Sequence, residues 1–450
     1  MQKYLLITFF LIFNSSLFSQ TQLGQDIIGE ADSDMAGRGI SLSADGNIIA
    51  FGAQWNDGNG DKSGHVRVYE LIGATWSQKG LDIDGKVAGD NMRQVSLSAN
   101  GDIIAVGSGS NDGNGANSGH VRIYEWNGSA WIQKGLDIYG EAAGDASGHA
   151  ISLSANGNIL AIGAYKNSAT GADSGHVRIY EWNGSAWAQK GLDIDGEAAG
   201  DYFGYWVSLS SDGTIFAATG VWNDGNGDRS GHVRIYEWNG SDWIQKGLDI
   251  DGEAAGDQFG SSISLSSNGL IFAAGAAWND GNGDKSGHVR IYEWNGSAWV
   301  QKGGDLDGEA ADDWFGNKCS LSANGNIIAV GSNRNGANSG HVRIYEWNGS
   351  AWIQIGGDLD GGAAGDDFGS SVELSDNGSI LAVGAVQFNS PTPAPGYVKA
   401  FSLPISSNSA PTNISLTSSS VNENVNTGTT IGLLSTTDSD SGDTHTYTLV

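Results

Sequence analysis

The chain has 450 residues, a formal net charge of −29, 70 glycines and 5 prolines. Such an acidic chain repels phosphate backbones and anionic lipids, so nucleic acids and membrane surfaces are poor partners, and cations, calcium above all, are favoured. The glycines follow no three-residue period, which excludes collagen, and 16 tryptophans with 39% hydrophobic residues argue against a disordered chain.

The first 19 residues are typical of a secretory signal peptide. A lysine precedes an apolar run over residues 4–13, and small and polar residues follow, which predicts cleavage near Ser19 or Gln20. No other long apolar run occurs, so we expect no membrane insertion. Cys319 is the only cysteine, so packing and strand pairing, not an internal disulfide, must hold the fold. We expect a protein that is secreted or displayed at the cell surface.

Two sequence markers recur seven times between residues 20 and 404. The first is the residue after a repeated glycine: His65, His120, His176, His232, His288, His341 and Tyr397. The second is a segment of the SLSADG type, at residues 41–46, 96–101, 152–157, 208–213, 264–269, 320–325 and 373–378. Two independent markers at a spacing of about 56 residues predict seven copies of one structural unit.

Each unit contains the signals of four antiparallel strands. After an alternating segment at 259–267 come Asn-Gly, a mostly apolar run, a Gly/Asn/Asp loop, GHVRIYEW, a second Asn-Gly and SAWVQKG. Asn-Gly between β-rich runs indicates a hairpin, because its type I′ turn needs positive φ at both central residues. We find no convincing helical period in this region. The sequence therefore predicts an all-β fold, a seven-bladed β-propeller over residues 20–404.

The seventh unit lacks the fourth strand that the other six carry. The start of the mature chain, TQLGQDIIGE (21–30), aligns without gaps with IQKGLDIYGE (132–141) of the second unit. We therefore predict that residues 22–28 lie beside residues 397–401 as the outer strand of the last blade. Such pairing closes the ring and leaves no large open edge.

The stretch SGHVRIYEWNGSAW recurs almost letter for letter in five units. Each unit of a ring meets the same neighbours, so we interpret the repeated histidines and arginines as structural. Val121 and Ile123 lie on one face of this strand, and His120, Arg122 and Tyr124 on the other. Because adjacent blades cover both faces, we expect the polar face to be hydrogen-bonded, with the acidic DIDGEAAGD connections as partners of the arginines.

The run AGDQFGSSISLSSNGLIFAAGA (255–276), followed by a loop and SGHVRIYEW, resembles the FG-GAP repeats of integrin-α-type seven-bladed propellers, in their bacterial branch. The Phe-Gly pair occurs at 203–204, 259–260, 315–316 and 368–369, and the first three units have Ala36-Gly37, Asn91-Met92 and Ser147-Gly148 instead. We expect the glycine to permit close backbone approach and the phenylalanine to fill the gap between blades. The resemblance implies the fold, not an activity.

Residues 410–450, after a linker at 405–409, are similar to the first part of a bacterial cadherin-like domain. The matching features are Ala410-Pro411, Glu423-Asn424 and Asp438-Ser439-Asp440. The resemblance implies an incomplete β-sandwich, since such a domain needs roughly 100 residues. It also implies calcium ligation by Glu423, Asp438 and Asp440.

Three loops of the NDGNGDKS type are the other calcium candidates. Their alternating residues are Asp57, Asn59 and Asp61; Asp224, Asn226 and Asp228; and Asp280, Asn282 and Asp284. Oxygen-bearing side chains separated by glycine are typical of calcium loops, although the distant glutamate of an EF-hand is missing. The integrin calcium loop joins the first two strands of a blade, where this chain has only SANG or SADG. The alternative is a plain solvated loop, and the acidity then serves solubility alone.

The sequence shows no catalytic cluster, and His149 and His445, outside the repeated column, have no evident partner. We therefore predict that the protein is not an enzyme but a monomeric adhesion or recognition module. It would bind an extracellular protein or glycan through propeller loops, with calcium as the expected cofactor. One alternative is a polysaccharide-degrading enzyme with one asymmetric pocket, for which Trp206 and Trp314 are the candidates, although inter-blade packing explains them too. A passive spacer without a ligand is the third hypothesis.

Overall fold

The computed structural model describes residues 20–405, 413–416 and 434–437. They fall into two units, one up to Pro404 and one from Ile405 onward. In the first unit the strands form seven separate antiparallel sheets, one for each repeat. Among the described residues, the one helical element is a single turn at Asn335–Asn338. The prediction of an all-β, seven-bladed propeller is confirmed.

Each blade has four strands in order from the central channel outward. The first strands are Ala36–Leu42, Gln94–Leu97, Ala150–Leu153, Phe203–Leu209, Ser262–Leu265, Lys318–Leu321 and Phe368–Leu374. The second strands are Ile48–Ala53, Ile103–Ser108, Ile159–Ala164, Ile215–Gly220, Ile271–Ala276, Ile327–Ser332 and Ile380–Ala385. The third strands are His65–Ile72, His120–Trp126, His176–Trp182, His232–Trp238, His288–Trp294, His341–Trp347 and Tyr397–Ser402.

The fourth strand is broken into two pieces in six blades. Its first pieces are Thr75–Gln78, Trp131–Gln133, Trp187–Gln189, Trp243–Gln245, Trp299–Gln301 and Trp352–Gln354. Its second pieces are Ile83–Asp84, Ile138–Tyr139, Ile194–Asp195, Ile250–Asp251, Leu306–Asp307 and Leu359–Asp360. Both pieces pair with the third strand of the same blade.

The first strands form a closed ring around the channel. Each contacts the next, and the seventh contacts the first. Backbone hydrogen bonds of 2.8–2.9 Å run around this ring, from the Ala44 N–H to the Ala99 carbonyl and finally from the Asp376 N–H to the Ala44 carbonyl. The first serine of each SLS marker adds a second link by accepting the leucine N–H of the next blade, as Ser96 accepts from Leu153 at 2.9 Å. This explains why the marker is repeated.

The four phenylalanines of the Phe-Gly pairs are at most 1% exposed, as expected of residues that fill the gap between blades. Gly204 has a φ of +82°, and a Cβ there would lie 2.4 Å from the His176 carbonyl oxygen, so only glycine fits. The alignment of Asn91-Met92 with this pair is wrong by one residue. Met92 bridges Gly64 as Phe203 bridges Gly175, and a one-residue deletion places Arg93 where the other blades have glycine.

Ser147, which stands at the phenylalanine position of the third blade, has a fully buried hydroxyl without a hydrogen-bond partner among the described residues. We expect Ser147→Ala to raise the free energy of unfolding by about 1 kcal/mol, because it removes a desolvated polar group and no bond. Urea denaturation measures the change. Ser96→Ala is the matched control and should be destabilising, because it removes the bond from Leu153. A loss of stability in Ser147→Ala would contradict this account of the hydroxyl.

The N-terminal strand Thr21–Ile28 closes the ring, as predicted. It pairs antiparallel with Tyr397–Ser402, with Ile27 opposite Val398, just as Ile250 lies opposite Val233 in the fourth blade. The Trp76 indole of the first blade donates a 2.8 Å hydrogen bond to the Leu23 carbonyl. The tryptophans of the other fourth strands make the same bond to the lysine carbonyl of the preceding blade.

The described residues of the second unit are two strands, Asn413–Leu416 and Leu434–Thr437, which pair antiparallel. One such ladder does not support the cadherin-like sandwich. The candidate ligands Glu423, Asp438 and Asp440 lie outside the described residues, as do the signal segment 1–19 and residues 406–409 of the linker. Within the described part of the chain, no helix is long and apolar enough to cross a membrane.

Candidate functional site

The blades differ from one another most where the first strand enters the channel. The residues after the repeated glycine are Arg38, His149, Tyr205, Ser261, Asn317 and Ser370, and in the second blade Arg93 stands at the glycine itself. The residues that follow are Gly39, Gln94, Ala150, Trp206, Ser262, Lys318 and Ser371. A ring of near-identical units becomes asymmetric here, at one end of its channel. We call the residues Arg38, Arg93, His149, Tyr205, Trp206 and Lys318 the central cluster.

Three cationic side chains of the central cluster face one another, and the carboxylate whose charge acts on one of them, Arg38, is Asp367. Arg38 is exposed, whereas Arg93 and Lys318 are half-buried, and none of the three forms an ion pair with a described carboxylate. Burial, and then the charge of Arg38, lowers the pKa of Arg93 to about 10. Burial, followed by the charges of Arg38 and Arg93, holds the pKa of Lys318 well below its ordinary value. The site therefore attracts an anion that would relieve this repulsion.

Hydrogen bonds and ring contacts fix two of these cations in place. The Lys318 ammonium lies 3.2 Å from the centre of the Trp206 ring, although the two residues belong to the sixth and fourth blades. Arg93 donates to the Gln54 side-chain oxygen at 3.0 Å and contacts His149 Nδ1 at 3.2 Å. Because arginine only donates, this Nδ1 accepts and the proton lies on Nε2. Burial, then the Arg93 charge, lowers the pKa of His149 well below its ordinary value, so the ring is neutral.

Aromatic rings surround His149 on the remaining sides. The centre of its ring lies 4.5 Å from that of Tyr165, 4.9 Å from Tyr205 and 5.9 Å from Trp206. Tyr202 packs edge-on against Tyr165 at 5.2 Å. The Trp206 indole N–H is buried and has no hydrogen-bond partner among the described residues. The cluster thus combines cations, flat apolar faces and a free donor.

A cleft of about 430 Å³ leads to the central cluster. Residues of the second and third blades line it, including Arg93, His149, Tyr165, Lys166 and Asp173. Water and a solute of the size of a sugar ring therefore reach Arg93 and His149 of the central cluster from the surface of the propeller.

The SLS-marker end of the channel is lined by serines, leucines and alanines, with two acids, Glu373 and Asp376, from the seventh blade. The first serine of the marker is replaced in the seventh blade by Glu373, and no described hydrogen bond joins this side chain to Leu42, the leucine of the next blade. Burial, and then the charge of Asp376, raises the pKa of Glu373 to about 8. The channel is thus cationic and aromatic at one end and has one easily protonated carboxyl at the SLS-marker end.

No family model matches this sequence, and no curated protein matches it. Among solved structures, a chain of Kuenenia stuttgartiensis hydrazine synthase is similar, with a TM-score of 0.56 and 13% sequence identity. The match covers 86% of this chain and 99% of that chain. The likeness shows the fold alone. It does not extend to the central cluster or to an activity.

The three candidate calcium loops, each of which joins the second strand of its blade to the third, use their side chains for hydrogen bonds within the protein. Asp57 accepts the Lys62 N–H at 2.8 Å, and the Asn59 amide donates to the Gly85 carbonyl at 2.8 Å. Asp224 and Asn226 make the same bonds in the fourth blade, as do Asp280 and Asn282 in the fifth. The carbonyls of Asp61, Asp228 and Asp284 accept an N–H of the next connection. Calcium at these loops stays a prediction.

The two tryptophans chosen from the sequence lie in different places. Trp206 belongs to the central cluster. Trp314 packs against Trp278 with ring centres 5.8 Å apart and lies under Arg334, 4.3 Å from its guanidinium carbon. Of the other members of the cluster, the sequence singled out only His149, as a histidine without an evident partner. Their signal was present as the differences between units directly after the repeated glycine.

Proposed function

We propose that this chain is an exported recognition module that binds an acidic glycan at the central cluster. One observation carries the proposal: three cations that form no ion pair with a described carboxylate, Arg38, Arg93 and Lys318, meet in a chain of net charge −29, and the charge of Asp367 acts on Arg38 alone. They do so where the repeats cease to be alike. The propeller scaffold itself fits a binding module.

The chemistry of the central cluster suits a sugar that carries a carboxylate or sulfate. The planar guanidinium of Arg93 donates two parallel hydrogen bonds to such a group, and Lys318 adds a point charge. The rings of Tyr205 and Trp206 offer apolar faces for the C–H groups of a sugar ring, and the free Trp206 N–H matches a hydroxyl. A nucleic acid satisfies the cations equally well, but the acidic remainder of the chain repels its long backbone.

The cellular setting of this proposal rests on the signal segment and on the resemblances to FG-GAP repeats and cadherin-like domains. A secreted or surface-displayed monomer with these features would attach to acidic polysaccharides of a matrix or of another cell. Calcium at the NDGNGDKS-type loops would then rigidify the loops on the outer part of the blades. The proposal needs no catalysis.

Lys318→Met and Arg93→Gln test the proposal, since both keep most of the side-chain volume. We expect each to weaken the binding of an oligogalacturonate at least tenfold, because each removes a charge-assisted contact. Isothermal titration calorimetry at fixed ionic strength measures the affinity, and circular dichroism checks that the variants fold.

Lys79→Met is the matched control, because this lysine pairs with Asp102 near the outer strand and lies far from the channel. It should bind as the wild type does. A neutral cello-oligosaccharide of the same length should not bind. Equal binding of the neutral and acidic sugars, equal losses in all three variants, or no binding of any acidic oligosaccharide would each refute the proposal.

The neutral imidazole of His149 beside Tyr205 favours one alternative, a lyase that cleaves the same class of glycan. On binding a uronate, Arg93 would turn from His149 Nδ1 to the sugar carboxylate and neutralise it, and the freed Nδ1 would take the proton from C5. The electron pair would form the C4–C5 double bond, the C4–O4 bond would break, and the Tyr205 hydroxyl would protonate the leaving oxygen. An unsaturated product that absorbs in the ultraviolet, formed by the wild type and not by His149→Ala, would establish this alternative.

A further inference from the structure

The repeated histidines do not have the hydrogen bonds that their position leads one to expect. The side chains of His176 and His232 are at most 1% exposed, yet neither ring nitrogen of either residue has a hydrogen-bond partner among the described residues. Native proteins leave few buried polar atoms unsatisfied, and each exception calls for a ligand or another reason. The repeated arginines are bonded in part: Arg234 Nη2 donates to the Asp195 carbonyl at 3.1 Å, and its buried Nε has no hydrogen-bond partner among the described residues.

In five blades a glutamate and an aspartate converge on the buried histidine. The glutamate comes from the connection before the blade, and the aspartate follows the first piece of the fourth strand. His176 Nδ1 lies 3.9 Å from Glu141 Oε2 and 3.8 Å from Asp193 Oδ2. The five clusters are Glu30, His65 and Asp82; Glu141, His176 and Asp193; Glu197, His232 and Asp249; Glu253, His288 and Asp305; and Glu309, His341 and Asp358.

The distances within each cluster are too long for hydrogen bonds and suit a shared cation. The three ligand atoms of every cluster lie within 4.8 Å of one another. A tetrahedral Zn²⁺ with bonds near 2.1 Å separates its ligand atoms by about 3.4 Å, so the ligand atoms need to approach one another by at most about 1.4 Å. Glu141 is 44% exposed, which leaves room for a water ligand. Arg178 lies 3.5 Å from the second oxygen of Glu141 and orients it.

Two blades, the second and the seventh, lack one or more of the glutamate, histidine and aspartate of the cluster. In both, a lysine side chain lies close to the aspartate. In the second blade Lys86 stands where the others have glutamate, and its ammonium pairs with Asp137. In the seventh blade the glutamate and histidine positions hold glycine and tyrosine, and the Lys399 ammonium lies 3.7 Å from Asp26. In the third to sixth blades no lysine or arginine of the described residues forms an ion pair with this aspartate, whereas in the first blade Arg67 pairs with Asp82 as well as with Glu30.

We propose that each of the five clusters binds one divalent transition-metal cation, such as Zn²⁺, through the histidine Nδ1 and one oxygen from each carboxylate. An imidazole nitrogen among the ligands favours such a cation over calcium, which prefers oxygen ligands. The metal would join the connection before a blade to the connection after it. These sites share no ligand residue with the central cluster or with the calcium candidates of the NDGNGDKS-type loops.

The number of bound ions tests the proposal. After equilibrium dialysis of the purified chain against Zn²⁺ in the presence of excess Ca²⁺, elemental analysis should give five zinc ions per wild-type chain. Lys86→Glu completes a sixth cluster with His120, whose ring nitrogens also lack partners, so it should give six. Glu197→Lys gives the fourth blade the lysine that the second blade has at the equivalent position, Lys86. This variant should bind four zinc ions per chain.

Glu237→Lys is the matched control, because it makes the same charge change at an exposed glutamate that pairs with Lys246. It should keep five ions. Three results would overturn the proposal: no increase in Lys86→Glu, equal losses in Glu197→Lys and Glu237→Lys, or displacement of the zinc by calcium. If Glu197→Lys fails to fold, the increase in Lys86→Glu still decides the matter.

Discussion

Ile27→Ala is expected to lower the free energy of unfolding by about 2–5 kcal/mol. Ile27 is 3% exposed and packs in one core cluster with Ala36, Trp76 and Val398, which belong to the first and last blades. Truncation leaves a cavity where the two ends of the ring meet, and the low exposure gives the neighbours little freedom to collapse into it. Urea denaturation followed by tryptophan fluorescence measures the loss.

Ile28→Ala provides the control on the same strand. Ile28 occupies the next register position but is 57% exposed, so its truncation should change stability by no more than about 0.5 kcal/mol. If both variants lost the same free energy of unfolding, the loss would be due to the lower strand propensity of alanine and not to the buried contacts of Ile27. An unchanged stability of Ile27→Ala would show that the N-terminal strand does not seal the ring in solution.

Glu373→Gln is expected to flatten the dependence of stability on pH. Burial, then Asp376, raises the pKa of Glu373 from 4.5 to about 8 in the folded protein. Between these values the folded chain holds a proton that the unfolded chain has released, so the stability falls as pH rises through this window and is level above it. Removing the acid should stabilise the protein at pH 8 by about 2–4 kcal/mol, less than the full shift implies because channel water reaches the carboxyl.

Chemical denaturation at several pH values between about 5 and 9 measures this effect. Glu373→Asp retains a titrating carboxyl at the same place and should keep the slope. Glu373→Ser, which installs the residue of the other six blades, should behave as Glu373→Gln does. A slope that Glu373→Gln leaves unchanged would assign the pH dependence to other groups.

The blades could be predicted because short-range sequence signals define the strands and turns of each blade, and these signals occur in all seven units. Asn-Gly turns, alternating strands and a fixed spacing act within a single unit, and even the closing strand Thr21–Ile28 is visible as the missing copy of a repeated segment. The one misalignment, at Asn91-Met92, arose because a deleted residue cannot be placed without knowing which backbone atoms meet.

The central cluster could not be predicted in the same way. Its members come from five different blades, and each differs from the residue at the same place in the other units. Only the geometry of the ring brings Lys318 over Trp206 and Arg93 against His149. The sequence ELSDNG already shows that Glu373 replaces the serine of the other units. The raised pKa of Glu373, however, depends on its burial in the channel. The histidine column looked fully structural until its distances to the carboxylates were known.

The pairing of Thr21–Ile28 with Tyr397–Ser402 also sets the order in which the molecule folds. Most contacts within a blade join residues close in the chain, so successive blades form from hairpins as they are synthesised. The N-terminal strand Thr21–Ile28, however, can pair only after nearly the whole propeller has been synthesised. The loop that this pairing closes is the longest in the propeller, so its entropic cost is the largest. We therefore expect the final joining of the two ends to be the slow step of folding, and opening at the same place to be the first step of unfolding.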